Sequence, residues 1–192
     1  MEVPEVIDPP TSDAITDVLG KTIDPAQCVF NPNLPNKCLF AGSNCTFMGD
    51  IPNLVAHLID DHRVDSCDGT TLNGRFVELK LKEVENAANM LMLYSCFGQH
   101  FCLQIEPLKL GKAPSYIAFL RFMGDDNEAK TFNYSLELRG NERTIVWEGV
   151  PRSIHRKARD NFDGLIIERN MARFLSGGDR KESKLRVRIW KE

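Results

Sequence analysis

From about residue 70 onward the hydrophobic pattern of this chain alternates. In "TFNYSLELR", Phe132, Tyr134, Leu136 and Leu138 fall on one side and Asn133, Ser135, Glu137 and Arg139 on the other, the period of a half-buried β-strand. "FCLQIE" sets Phe101, Leu103 and Ile105 against Cys102, Gln104 and Glu106 in the same way. "SYIAFLRF" is apolar on both sides, with Tyr116, Ala118, Leu120 and Phe122 against Ile117, Phe119 and Arg121, which predicts a central strand. The chain closes on "KLRVRIW", with Leu185, Val187 and Ile189 on the inward side. Turn signals separate these runs: "FGQH" at 97–100, "LGKAP" at 110–114, "MGDDNE" at 123–128, "RGNE" at 139–142 and "EGVP" at 148–151. Short strands at this spacing predict a mainly β protein, an antiparallel sandwich. Two helical stretches interrupt it. "EVENAANMLML" (83–93) is expected to begin as a helical turn and run into a strand, and "ERNMARFL" (168–175) to stop at Gly177 and Gly178.

Before residue 70 the pattern changes. Residues 1–27 carry five acids before the first base at Lys21 and three prolines by position 10. Such a segment buries too little apolar surface to order itself, and a disordered acidic tail is the expectation. "CVFNPNLPNK" (28–37) reads as an irregular connector. In "CLFAGSNCTFMGDIPNLVAHLIDDH" (38–62), Asp50 can cap a helix whose first turn holds Pro52 and whose apolar stripe is Ile51, Leu54, Val55 and Leu58. His57 and His62 are then placed on its last turns. The expected division is a tail over 1–27, a small finger module over 28–66 and the sandwich over 67–192.

Cysteine usage sharpens the middle segment. Cys38, Cys45, His57 and His62 give the spacing C-x6-C-x11-H-x4-H. Two thiolates and two imidazoles make the closed tetrahedral ligand set of structural zinc. The histidine interval is ordinary, and the long cysteine interval calls for a wide knuckle, for which Gly42 supplies a permissive backbone. Four protein ligands leave no open position for water or substrate, so the Zn2+ expected here is structural rather than catalytic. No Lys or Arg lies between Cys38 and His62, whereas Asp50, Asp60 and Asp61 do. A helix of that charge is repelled by a phosphate backbone, and no nucleic-acid partner is expected.

The whole-chain charge of −3 adds no attraction to nucleic acid or anionic membrane. No run of eighteen apolar residues is present, and the acidic N-terminus does not read as a secretory signal. A soluble cytoplasmic or nuclear protein is the expectation, with six unevenly spaced cysteines kept reduced. Other candidate chemistry is weaker. Cys96 and His100 invite a Cys–His nucleophile, but Cys96 and Cys102 flank a turn and suit small core positions. "RSIHRKAR" (152–159) reads as a basic loop whose charge is solvated or balanced, and Gly177–Gly178 lacks a phosphate-loop frame.

Taken together, "AGSNC", "GDIPNLVAHLIDDH", "EVENAANML", "SCFGQHFCL", "AFLRFMGDDNEAKTF", "VPRSI", "DGLIIERN" and "SGGDRKESKLRV" resemble the seven-in-absentia (SINA/SIAH) family, particularly its plant branch, from about residue 38 to the C-terminus. That resemblance implies RING-type E3 ubiquitin ligases: a RING that recruits an E2, two zinc fingers, and a TRAF-like sandwich that binds substrates and dimerises. Cys38, Cys45, His57 and His62 match the second finger. Residues 67–192 match the sandwich. Nothing upstream of Cys28 can supply the eight Cys/His ligands of a RING, and Cys28 alone stands where a first finger would end. The resemblance further implies capture of extended peptides along a sheet edge, carried over onto Thr70, Leu72, Phe76, Ala88, Met90 and Met92, with Asn89 where plant relatives tend to have Trp. The expected function is a RING-less substrate-binding or regulatory protein of the ubiquitin–proteasome pathway. It would form homodimers, or heterodimers with full-length SINA/SIAH-type ligases. The alternatives are an active ligase with a non-standard E2 contact and a zinc-finger nucleic-acid binder.

Overall fold

A computed structural model of the chain describes residues 35–40, 44–68, 76–80, 90–111, 113–156, 163–176 and 182–192, all within one compact unit, Leu34–Glu192. The expected tail over 1–27, the Gly42 knuckle, the start of the 83–93 stretch and the Gly177–Gly178 stop lie outside the described residues.

Two short strands, β1 (Asn36–Lys37) and β2 (Met48–Gly49), pair antiparallel, Asn36 against Gly49. Helix α1 (Ile51–Asp60) starts where Asp50 accepts a hydrogen bond from the Asn53 amide at 2.9 Å, with Pro52 in the first turn, where a missing N–H costs nothing. Its buried face is Leu54, His57 and Leu58. The helix is shorter than the histidine spacing suggested. Its last regular residue is Asp60, so His62 lies in the turn beyond it. There Arg63 takes a left-handed φ of 55° and the Val64 amide bonds back to the Leu58 carbonyl at 3.0 Å. This reversal turns the chain back under the helix and into the sandwich.

The sandwich begins at β3 (Asp65–Asp68), which straddles the expected boundary at 66/67. It runs parallel to β5 (Met90–Cys96), and β6 (Gln99–Leu110) and β7 (Ala113–Phe122) follow antiparallel. The far edge of β7 is shared by β10 (Arg152–Ser153), which is parallel to it, and β11 (Leu165–Glu168), which is antiparallel. The second sheet has the order β4 (Phe76–Lys80), β12 (Glu182–Lys191), β8 (Phe132–Gly140), β9 (Arg143–Gly149), all antiparallel. The sandwich is therefore antiparallel except at two short strands, both brought in by chain crossing from outside their sheet.

Two tight hairpins fix the registers. Phe97 and Gly98 (φ 55° and 70°) join Cys96 to Gln99, and Asn141 and Glu142 (φ 47° and 58°) join Gly140 to Arg143. Both loops have two central residues in the left-handed region, whose twist matches that of the strands they connect. The "MGDDNE" stretch, expected as a turn, contains a one-turn helix, α2 (Asp126–Ala129), because Asp125 accepts from the amides of both Asn127 and Glu128. Helix α3 (Arg169–Leu175) closes one end of the sandwich through Ala172 and Leu175. A Cβ at Gly140 would stand 1.7 Å from the Leu175 carbonyl oxygen, so only glycine fits there.

The main core holds the apolar residues of the alternating runs, Phe101, Leu103 and Ile105; Phe132, Tyr134, Leu136 and Leu138; Leu185, Val187 and Ile189; and, from the strand that is apolar on both sides, Tyr116, Ala118, Leu120 and Phe122. The outward sides depart from the expectation of a solvated face. Ser135 and Glu137 are buried, and Glu137 lies among the guanidinium groups of Arg139, Arg186 and Arg188. The aliphatic stems of long basic side chains cover what an alternating pattern alone would leave in water. On the other sheet Cys102, Gln104 and Glu106 are buried as well.

Part of that outer face is covered by the finger. Leu54 and Leu58 of α1, both fully buried, form a second core with Val64, with Leu93 and Cys102 of the six-stranded sheet, and with Met123 and Ile154. Leu91, Ile51 and Val55 pack around it. Each such leucine contributes about 1.5–3 kcal/mol by burial. Leu58→Ala is expected to destabilise the protein by about 2–5 kcal/mol, measured by urea unfolding, because the rigid sheet beneath it cannot collapse into the void.

Candidate metal centre

The β1–β2 hairpin and α1 carry four ligand atoms to one place. The Sγ atoms of Cys38 and Cys45 and one nitrogen each of His57 and His62 lie within 4.8 Å of one another. Cys38 Sγ is 3.3 Å from His62 Nε2, and Cys45 Sγ is 3.3 Å from His57 Nε2. All four residues are buried or half-buried, and together they can hold one metal ion.

The group is built from two matching halves. Each cysteine opens a Cys-x-Phe triplet, "CLF" at 38–40 and "CTF" at 45–47. Phe40 stacks on the His62 ring (centroids 4.4 Å, planes 11° apart) and Phe47 on the His57 ring (4.0 Å, 5°). The two imidazoles stand edge to face at 4.7 Å, 88° between planes. Each half thus contributes a thiol, an imidazole and an aromatic plate that holds the imidazole in orientation. The aromatic plates were missed in the sequence, although the repeated Cys-x-Phe spacing was there to be found.

Hydrogen bonds complete the setting. His57 Nδ1 is 2.6 Å from Asp61 Oδ2, which leaves Nε2 as the lone-pair nitrogen facing the cluster. The Phe40 amide donates to Cys38 Sγ at 3.4 Å. Burial pushes the Cys38 thiol up; the Phe40 amide opposes this, and the neighbouring Cys45 adds to it. A cation among the four groups would pull the balance at Cys38 back toward thiolate.

The other candidate chemistry resolves differently. Cys96 and His100 lie on opposite faces of the β5–β6 hairpin, since His100 pairs with Ser95 and bonds to its Oγ at 3.0 Å, whereas Cys96 points into the main core. Burial pushes the Cys96 thiol up to about 11 and that of Cys102 higher still. Neither is a nucleophile. In the basic loop Arg152 pairs with Asp163 and Arg156 with Asp126, so the described part of that loop is charge-balanced. These pairs line a cavity of about 410 Å³ whose apolar side is Trp147, Val150 and Pro151.

Of the residues carried over as a peptide groove, Thr70, Leu72 and Ala88 lie outside the described residues, and Phe76 opens β4. Met90 and Met92 sit two apart on β5 and pack, half-buried, against the main core.

A helical module carrying a two-cysteine, two-histidine cluster and seated on a two-sheet sandwich fits a TRAF-like β protein with a small zinc-finger-type appendage. The family model described as "Sina, TRAF-like domain" matches residues 94–189. The E3 ubiquitin-protein ligase DIS1 of Oryza sativa subsp. japonica is 60% identical over 172 residues, 87% of this chain and 56% of that protein. The E3 ubiquitin-protein ligase SINAT3 of Arabidopsis thaliana is 61% identical over 163 residues, 82% of this chain and 50% of that protein. Another Arabidopsis thaliana relative, named "Probable inactive E3 ubiquitin-protein ligase SINAT6", is 44% identical over 177 residues, 88% of this chain and 82% of that protein. The chain belongs to the seven-in-absentia (Sina) family, and it spans about half the length of the first two relatives.

Raised thiol pKa values carry a direct expectation. In the native protein at pH 8, Cys96 and Cys102 should resist iodoacetamide, read by mass spectrometry of peptides after quenching, and become alkylated only on unfolding.

Proposed function

We propose that this chain is a substrate-binding adaptor or regulator of the ubiquitin–proteasome pathway, with one structural Zn2+ at Cys38, Cys45, His57 and His62 and a sandwich that docks extended protein segments. It pairs with itself or with full-length family ligases, delivering substrates to them or withholding them, in the cytoplasm or nucleus. The observation that carries the reading is the match of residues 94–189 to the Sina, TRAF-like domain, on a sandwich with the finger seated against one of its sheets. One relative, covered over 82% of its own length, carries a name marking it as a probable inactive ligase, which supports the same reading.

Zinc suits the donor set. With Zn–S near 2.3 Å and Zn–N near 2.0–2.1 Å, a tetrahedron has S···N edges of about 3.5 Å. The two Cys–His pairs stand at 3.3 Å. Four protein donors close the coordination sphere, so the ion supplies cohesion and no chemistry.

Incubating the purified chain with E1, an E2, ubiquitin and ATP should yield no ubiquitin chains. Adding a full-length relative should yield chains whose substrate range depends on this protein. Robust chain formation by the protein alone would refute the adaptor reading. For the staple, Cys45→Ala and His57→Ala should each lose about one zinc per chain by elemental analysis and loosen residues 38–62 to hydrogen exchange, with the sandwich strands still protected.

A further inference from the structure

The two halves of the cluster share a thiol, an imidazole and a stacked phenylalanine, but they differ in one group. His57 Nδ1 has a carboxylate at 2.6 Å, Asp61 Oδ2. For His62 no such partner stands among the described residues. Asp61 is an unexpected residue where it lies. It is the C-cap of α1, its amide bonding to the His57 carbonyl, and a negative charge at a helix C-terminus opposes the helix dipole. Its side chain is 69% exposed, so it contributes little packing. Neither helix stability nor core formation accounts for a carboxylate at this position.

We propose that Asp61 is a positioning residue for the metal centre: it holds the His57 ring with Nδ1 protonated and Nε2 aimed at the ion, and so makes the Cys45–His57 half the tighter of the two. The inference rests on the zinc reading above. A carboxylate accepting from the remote nitrogen of a ligating histidine raises the ligand's basicity and fixes its orientation, and its loss ordinarily lowers metal affinity by about 10–100-fold. Phe47 holds the plane of the same ring, while Asp61 sets its rotation within that plane. Among the described residues, the support of the His62 ring from outside the cluster is the plate, Phe40. The Cys38–His62 half is accordingly the side from which the ion is released.

The dipole argument separates this role from a purely structural one, because the two predict opposite signs. Removing the charge of Asp61 relieves an unfavourable interaction with the helix end, yet it should weaken zinc binding. The test is competition for Zn2+ against a chromophoric chelator, using the full chain as wild type, Asp61→Ala, Asp61→Asn and Asp60→Ala. Asp61→Ala should lose about tenfold or more in affinity. Asp61→Asn, whose side-chain oxygen can still accept from Nδ1, should lie between it and wild type. Asp60→Ala, a neighbouring acid without this contact, should match wild type. Co2+-substituted protein gives a second readout, since the d–d bands should shift in Asp61→Ala and not in Asp60→Ala. Wild-type affinity and unshifted bands in Asp61→Ala would overturn the role of Asp61 while leaving the zinc site standing. Failure of the wild-type chain to bind zinc would overturn both.

Discussion

Convergence of two thiols and two imidazoles on one point is the constraint from which the arrangement of residues 36–64 follows. A segment holding one ten-residue helix and a hairpin of two-residue strands is far too small to bury a core of its own. Two things compensate. The ligand cluster ties the hairpin to both ends of the helix turn, and the helix then presents Leu54 and Leu58 to the outer face of the six-stranded sheet. The tie and the docking depend on each other. Without the tie, nothing holds the helix at the angle that buries both leucines; without the sheet, the tied module exposes its only apolar stripe.

That coupling also explains features of the sandwich that make little sense in isolation. Leu91, Leu93 and Cys102 point away from the main core on strands whose other face is already buried, and they are apolar because the finger covers them. The parallel strand β3 follows from the same connection. The chain leaves α1 through the left-handed turn at Arg63, packs Val64 beneath the helix, and can join the sheet edge in only one direction. The module is thus a brace built into one layer of the sandwich.

Much of this was legible in the sequence. The period-2 runs at 101–106, 132–139 and 184–190 identified strands and their inward residues, because a sheet face buried against another sheet leaves a direct alternation, while 115–122, apolar on both sides, identified a central strand without saying which side faces the main core. The ligand spacing and the Asp50–Pro52 start identified the module for equally local reasons. What stayed hidden depended on contacts between distant segments. The burial of Ser135 and Glu137 on the strand that faces Arg186 and Arg188, and that of Gln104 and Glu106 on the other sheet, is encoded in no strand period. Helix α2 is indistinguishable from a turn in the sequence, since one turn of helix and a capped loop share the same Asp-rich signature. Placing His62 on the helix extended a regular period past the point where Arg63 reverses the chain. The Cys-x-Phe pairs were visible but became meaningful only once each phenylalanine was seen against its histidine.

X-ray absorption at the zinc K-edge on the protein purified with its native metal tests the central claim most directly. The account predicts a single four-coordinate shell of two sulfur and two imidazole nitrogen scatterers, at distances of about 2.3 and 2.0–2.1 Å. A shell of oxygen donors, a sulfur count other than two, or no tightly held metal would contradict it.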